Sequence, residues 1–577
     1  MKPVHLVLSI AVLAPACAPA AGRSATPGPQ PSDSAAFERI VDDYLSSAGR
    51  QTTRDTGNAA RALVASLDPA RDRERAARAT TWLGRLTAVD TSRLAEPQRI
   101  DWLALAAQLK RQIRDTALQV WRRDPGRYLT VGGIYWRVAG DRPPRPEDWV
   151  AVRRDLESAP AALALGRSLL AAPPPLWVRL ALATARSYRE FLRGELAERA
   201  RGAPDSLAAA VLAAGGRAAA ALDAYAAFLA DTLRPGPDGS WMAGREYYDW
   251  VSRETHFLPF TTDSMIAAGR LIHAATKRAL DSLAAELAPG IGWRALADEM
   301  RARHPEAGRI AAAYERQSRR VEALLIRDDL ITLPPCQELV FVPTPPHLRQ
   351  TYAWGGYGGV QTRDSVAVGR FFVTDVWPGM TEAERREKLH AQNNGWVAVI
   401  ALHEGYPGHH LQQVYARRNP RRLRREISNT YYGEGWALYA EHWMARVGLF
   451  DSPDARLAQL QMRLWRTARV IIDPSLHTGA MTYEQAVQFF VDEVGLERSA
   501  AAAEVNRFTT WPTQAPSYII GWLEIERLKR DVQAREGAAF SEKRFVERVL
   551  EAGSLPLALL RRAVLHAYAS DGPTVRR

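Results

Sequence analysis

His403-Glu404-Gly405-Tyr406-Pro407-Gly408-His409-His410 is followed, some two dozen residues on, by Glu434-Gly435-Trp436-Ala437-Leu438-Tyr439-Ala440-Glu441. A His-Glu pair, a nearby histidine and a downstream glutamate are the parts of a catalytic zinc site. Two imidazoles and one carboxylate hold the ion, and the glutamate beside the first histidine stays free to take a proton from water. That chemistry is metal-dependent hydrolysis.

The spacing is unusual. In His-Glu-x-x-His the histidines sit four apart on one helical face, about 6 Å apart at Cβ. Here position 407 is proline, and the next histidines come six and seven residues after His403. Six residues of regular helix turn through about 600°, onto another face, while seven restore the face about 10.5 Å further along. Pro407 lacks the N–H that would bond the His403 carbonyl, and Gly408 tolerates unusual backbone angles. The pair therefore predicts a kink or π-bulge in one distorted helix that runs from about Gly395 to Arg417, with Asn393-Asn394 as its cap. Trp396, Val397, Val399 and Ile400 form its buried side. His403 and one of His409 and His410 face the metal; His409 is preferred because Gly-His resembles other zinc peptidases. On the second helix Glu434 and Glu441, seven apart, share a face. Glu434 is the candidate ligand, and Glu441 is a candidate to orient a histidine from behind or to be a plain carboxylate.

HEGYPGHHLQ (residues 403–412) and EGWALYAE (434–441) resemble the bacterial family called domain of unknown function 885. Further stretches carry the likeness: Ala468 to Asp473, His477, Met481 to Ala486, Glu504 to Phe508, and Pro512 to Gly521. It extends through most of residues 38–565, more specifically in the C-terminal half. The family is similar to zinc peptidases in which a second helix supplies a glutamate. The resemblance implies a largely α-helical protein with a long cleft, His403, His409 and Glu434 as ligands, and Glu404 as general base. It implies no substrate. The chain departs from the commoner wording at Tyr406 and at Pro516, and both changes bear on the pocket's shape.

Outward from the motif, residues 36–230 are rich in Ala, Leu and Arg with helical periodicity, which predicts a bundle of long helices. Arg234 to Ser240 reads as a loop, a helix starts near Thr262 or Asp263, and Ala288-Pro289-Gly290 breaks it. Strand signals are confined to residues 330–375: Leu339–Val342 and Arg370–Thr374. The Gly-rich run Trp354 to Gly359 between them is either a surface turn or a backbone edge along which a peptide lies. The whole reads as mainly α: a large helical bundle with a deep cleft, a zincin-like metal helix and a small β element beside it. An N-terminal helical region spans residues 37–330 and a catalytic region 331–570.

Residues 1–21 read as a secretory signal, with a largely apolar run from Val4 to Ala14. Ala18-Pro19-Ala20 suits ordinary cleavage; Leu13 to Cys17 resembles a lipobox that would leave Cys17 lipidated. Residues 22–36 read as a tether. These features predict an exported bacterial protein, periplasmic or anchored as a lipoprotein. No internal stretch reaches the roughly 20 apolar residues a membrane span needs. Cys336 then stands alone and is expected to be a buried thiol.

The net charge is +12, largely from arginine. Nucleic-acid binding is set aside, because the chain lacks aromatic-basic interleaving and any recognisable module. The cluster Arg421-Arg422-Leu423-Arg424-Arg425 is expected either as a solvated face or as a basic rim. Hydrolysis also needs a donor for the developing oxyanion, and Tyr518 or His477 are the candidates. Arg469 is a candidate clamp for a terminal carboxylate, with Asp473 one turn on to fix it, or the two form a plain ion pair. The partners expected are one zinc ion and short peptides or other small amides; a non-peptide amide or ester hydrolase and a non-catalytic peptide-binding protein are the alternatives.

Overall fold

Alanine and leucine at helical spacing, cut by Pro, Gly and Asx/Thr caps, give helices almost throughout. The structure is a computed structural model that describes residues 32–571, apart from 55–58, 139–142, 238, 350–351 and 364. The signal at 1–21, Cys17 and most of the tether lie outside the described residues. The first helix, Asp33–Arg54, starts inside the span read as tether, where the Ser32 hydroxyl accepts from the Ala35 N–H.

Local capping follows the chemistry of the sequence. Asp68 caps Pro69–Thr87 and Asn393 caps Asn394–Glu404, each by accepting a backbone N–H. The helix Thr262–Leu287 is capped by Thr261, one residue earlier than expected. Thr262 instead donates its hydroxyl to Asp249.

The apolar residues form two cores. The larger unites Phe37 and Ile100 from the N-terminal part with Leu280, Trp396, Tyr431, Val470 and Ile519. The smaller lies within residues 128–229. The larger core runs across residue 330: both ends of the N-terminal region share the core of the C-terminal half. Within the smaller core, Asp205–Thr232 is long and apolar enough by length and composition to cross a membrane, contrary to the sequence reading. Here Val211, Ala214, Ala218, Leu222 and Tyr225 are buried among its neighbours.

Two close helix crossings shape the larger core. Gly269 of Thr262–Leu287 meets Val470 and Ile471 of Pro453–His477, where a Cβ would lie 3.0–3.1 Å from them. Gly435 of Thr430–Arg446 meets Gly521 of Ser517–Glu536, where a Cβ on either would lie within 2.6 Å of backbone atoms of the other helix.

The β element is a three-stranded sheet of β1 (Gln337–Pro343), β2 (Gly355–Arg363) and β3 (Val366–Val373), in the order β1-β3-β2. β1 runs parallel and β2 antiparallel to β3. The Gly-rich run is thus an edge strand rather than a surface turn. Its glycines fit the protein's own side chains: a Cβ would lie 2.7 Å from the Tyr352 ring at Gly356 and 2.0 Å from the Phe372 ring at Gly358. Cys336 is exposed, not buried; at φ +56° it turns the chain into β1 after Pro334-Pro335.

The arginine cluster is only in part a solvated face: Arg422 and Arg425 are exposed, while Arg421 is half-buried and Arg424 buried. Asp101, 1% exposed, takes Nε of Arg424 at 2.6 Å on one oxygen and Nε of Arg421 on the other. Arg422 pairs with Asp42 at 2.7 Å, and Arg425 donates to the Asn419 carbonyl. The cluster ties the N-terminal helices to the loop between the two motif helices. Asp101→Ala leaves the nearly buried Arg424 unpaired, so a loss of about 3–5 kcal/mol is expected in urea denaturation; a change under 1 kcal/mol would remove this tie from the account.

Candidate metal centre

The His403 helix, Asn394–Glu404, ends where the motif turns unusual. Gly405 leaves helical geometry at φ −98°, ψ −110°, the Tyr406–Pro407 peptide is cis, and a new helix, His409–Arg417, begins after Gly408. The expected single distorted helix is two helices with a break between them. A Cβ on Gly408 would lie 1.9 Å from the His403 carbonyl oxygen, so only glycine fits there.

The break brings the histidines together. The rings of His403 and His409 lie 4.8 Å apart at 87°. Oε2 of Glu434 is 3.1 Å from Nε2 of His409 and 3.6 Å from Nε2 of His403. One ligand atom from each of the three residues falls within 4.8 Å of the others. His410 turns the other way, with Nε2 2.6 Å from Gln337 and Nδ1 3.0 Å from the Tyr357 hydroxyl. Burial pushes its pKa down to about 4, so it is neutral.

The groups behind the cluster fix it. Nδ1 of His403 bonds the fully buried Glu441 at 2.8 Å, which leaves Nε2 facing Glu434. Arg466 holds the same Glu441 oxygen at 3.1 Å. The other oxygen of Glu434 accepts from Gln514 at 3.1 Å. Burial disfavours the His403 cation, yet the bonds to Glu434 and Glu441 prevail and raise it to about 9. Burial likewise disfavours the Glu434 anion, but His409 and His403 hold its pKa well below the usual value.

The cluster opens on a cavity of about 290 Å³, near the lower end for small-molecule sites. Glu404 lines it, and its carboxylate makes no hydrogen bond among the described residues. Tyr518 stacks on His403 with ring centroids 5.9 Å apart and shares the cavity, as do Gly355, Gly356 and Tyr357 of β2. Arg469 also lines it, but its partner is Glu504 at 2.7 Å, not Asp473. Asp473 accepts from the Tyr248 hydroxyl at 2.5 Å and from the Thr513 N–H at 3.1 Å. His477 is fully buried outside the cavity lining. Its Nε2 lies 3.0 Å from the Phe508 carbonyl, and its Nδ1 accepts from the Ala243 N–H at 3.2 Å. Burial lowers its pKa to about 4. The structure thus brings His403, Glu404, His409, Glu434, Arg469 and Tyr518 together and leaves His477 apart.

Sequence reasoning assigned no role to Glu504, Arg507 and Gln514, which also line the cavity. Their signal was spacing: Glu504 and Arg507 are i,i+3 on one helix, and Gln514 lies four before Tyr518.

The donor set fits a transition metal of zinc's size. Bonds of about 2.0–2.1 Å in a tetrahedron place ligand atoms about 3.3 Å apart, against 3.1 and 3.6 Å from Glu434 to the two histidines.

Residues 47–564 match the family described as bacterial protein of unknown function, DUF885. The chain belongs to that family. No curated protein matches it significantly. Among solved structures, one described as a "putative lipoprotein of unknown function" from Shewanella oneidensis shares 21% identity at a TM-score of 0.69, covering 93% of this chain and 100% of that one. A "putative lipoprotein" from Colwellia psychrerythraea shares 17% identity at 0.66, with the same coverage. At these identities the likeness is one of fold.

The raised His403 pKa makes a pH prediction for metal-free protein. A group raised from about 6.5 to about 9 contributes stability that is full below 6.5 and is lost as pH rises through 9. The Tm of chelator-treated protein is expected to fall between pH 7 and 9.5, and to fall less in His403→Gln. Equal slopes for the two would count against a charged His403.

Proposed function

We propose that this chain is an exported metal-dependent hydrolase that cleaves short peptides. The observation that carries the reading is the convergence of His403, His409 and Glu434 on one point, with the unpaired carboxylate of Glu404 in the same cleft. Structural ion pairs do not need two histidine Nε2 atoms turned on one carboxylate oxygen, nor a buried Glu441 to orient one of them. Zinc is the ion that this donor set favours.

A zinc ion held by His403, His409 and Glu434 would supply Lewis acidity, polarising a scissile carbonyl and making water acidic enough to ionise near neutral pH. Glu404 takes the proton of the attacking water and returns it to the leaving amine nitrogen. The Tyr518 hydroxyl donates to the carbonyl oxygen as it gains charge. Glu441 keeps the His403 ring in one tautomer and one orientation. Among the described residues the outer edge of β2 has no strand partner, and its Gly355–Tyr357 segment borders the cleft, which suits a substrate backbone laid alongside it. That edge favours a peptide over an ester.

Export and lipidation at Cys17 belong to the same reading. The signal-like residues 1–21 and the lipobox-like Leu13 to Cys17 support it, as do the descriptions of the two structural neighbours.

Elemental analysis of purified protein should find about one zinc per chain, the stoichiometry of a single site. His403→Ala, His409→Ala and Glu434→Ala should lose it, and His410→Ala should keep it. A wild type that neither contains nor takes up zinc would sink the hydrolase reading. Glu404→Gln should keep the metal while turnover of a peptide pool drops by at least roughly 10²-fold, the scale of general-base catalysis. Full activity in that variant would remove Glu404 as the base.

A further inference from the structure

Beside the metal cluster, the cleft wall carries three guanidinium groups, from Arg466, Arg469 and Arg507. Arg466 is occupied by Glu441 and by the Met462 carbonyl. Arg469 and Arg507 share a single carboxylate, Glu504, at 2.7 Å and 3.3 Å. A structural ion pair at Glu504 requires one arginine; the second leaves this wall with an excess positive charge.

The excess charge is also short of partners. Arg469 is 2% exposed, yet among the described residues its Nε and Nη1 have no hydrogen-bond partner, and neither has Nε of Arg507. The Arg469 guanidinium packs over the rings of Trp465 at 4.1 Å and Tyr518 at 4.3 Å. The rings cover its faces and leave the edge N–H groups to find an acceptor. Buried donors without partners are costly. A planar two-oxygen anion matches an arginine edge with two parallel bonds.

The position of this wall sets what the anion belongs to. The Tyr518 ring lies 4.3 Å from the Arg469 guanidinium and 5.9 Å from the ring of His403, which keeps the two within about 10 Å of each other. An extended residue covers about 3.5 Å, so one or two residues plus a hydrogen bond span from a bond cut at the cluster to Arg469. We infer that Arg469, with Arg507 and Glu504 behind it, binds the free C-terminal carboxylate of the substrate, so that the enzyme removes one or two residues from the C-terminus. This rests on the hydrolase reading above and narrows its substrate class.

The test uses peptides with blocked N-termini, each made as the free acid and as the C-terminal amide, with zinc-supplemented full-length protein. Release of a C-terminal amino acid or dipeptide from the acids is expected, with kcat/KM for the amides lower by at least roughly tenfold, the scale of a lost charge-assisted pair. Equal rates on acid and amide, or internal cleavage of both, would overturn the inference. Arg469→Lys keeps the charge beside Glu504 and is expected to unfold near the wild-type temperature while the acid-over-amide ratio collapses toward one. Arg507→Lys serves as the second variant if Arg469→Lys fails to fold, and its ratio is expected to fall too; an unchanged ratio in a folded variant tells against the assignment. Binding to chelator-treated wild type by calorimetry separates the two levels. Preference for the acid there, without turnover in any preparation, would retain the carboxylate site and remove the hydrolase; equal affinity for acid and amide would remove the carboxylate site.

Discussion

Gly408 packs so tightly against the carbonyl of His403 that no other residue fits. Much of the site depends on that contact. Two histidines six residues apart cannot serve one point on a regular helix. Ending one helix at Glu404 and starting the next at His409 removes the conflict, and the close approach of Gly408 makes the reversal short. The same break turns His410 toward β1 and β2, where Gln337 and Tyr357 occupy its nitrogens. One backbone event thus places a candidate ligand and packs the sheet against the helix His409–Arg417.

The remaining groups arrive by helix crossings. Gly435 and Gly521 let the helices bearing Glu434 and Tyr518 touch backbone to backbone. Glu434, next to one glycine, and Tyr518, less than one turn before the other, are held close for that reason. Charge is distributed through the same contacts. Glu441 sits between His403 and Arg466, and Glu504 between Arg469 and Arg507. Each buried carboxylate thereby steadies a group that faces the cleft, which meets the cost of burying charge through pairing. Asp101 likewise pairs with Arg421 and Arg424 and joins the N-terminal helices to the segment between the two motif helices.

Much of this was legible in the sequence where the cause is local. Asn393 as a cap, the long helices and the strand signal at 339–342 and 370–374 depend on residues within a turn or two. The pairing of Arg469 with Asp473 was read from i,i+4 spacing and did not form, because Glu504 reaches Arg469 from another helix while Tyr248 and Thr513 claim Asp473. Cys336 was read as buried from its place beside Pro334-Pro335, just before a strand-like segment, but the turn before β1 faces it outward. The arginine cluster looked like surface because its partner, Asp101, is some 320 residues away in the chain.

By itself the sequence determined the helical class and grouped the candidate ligands in two short motifs, since composition and short-range periodicity set helix formation. It also marked position 407–408 as the place where the helix must yield. Only the tertiary structure decided which histidine joins Glu434, which arginine stands against the cleft and which histidine, His477, is withdrawn into backbone bonds. Those choices turn on directions of side chains across helix crossings, and such directions follow from packing between distant segments, which spacing along one chain does not encode.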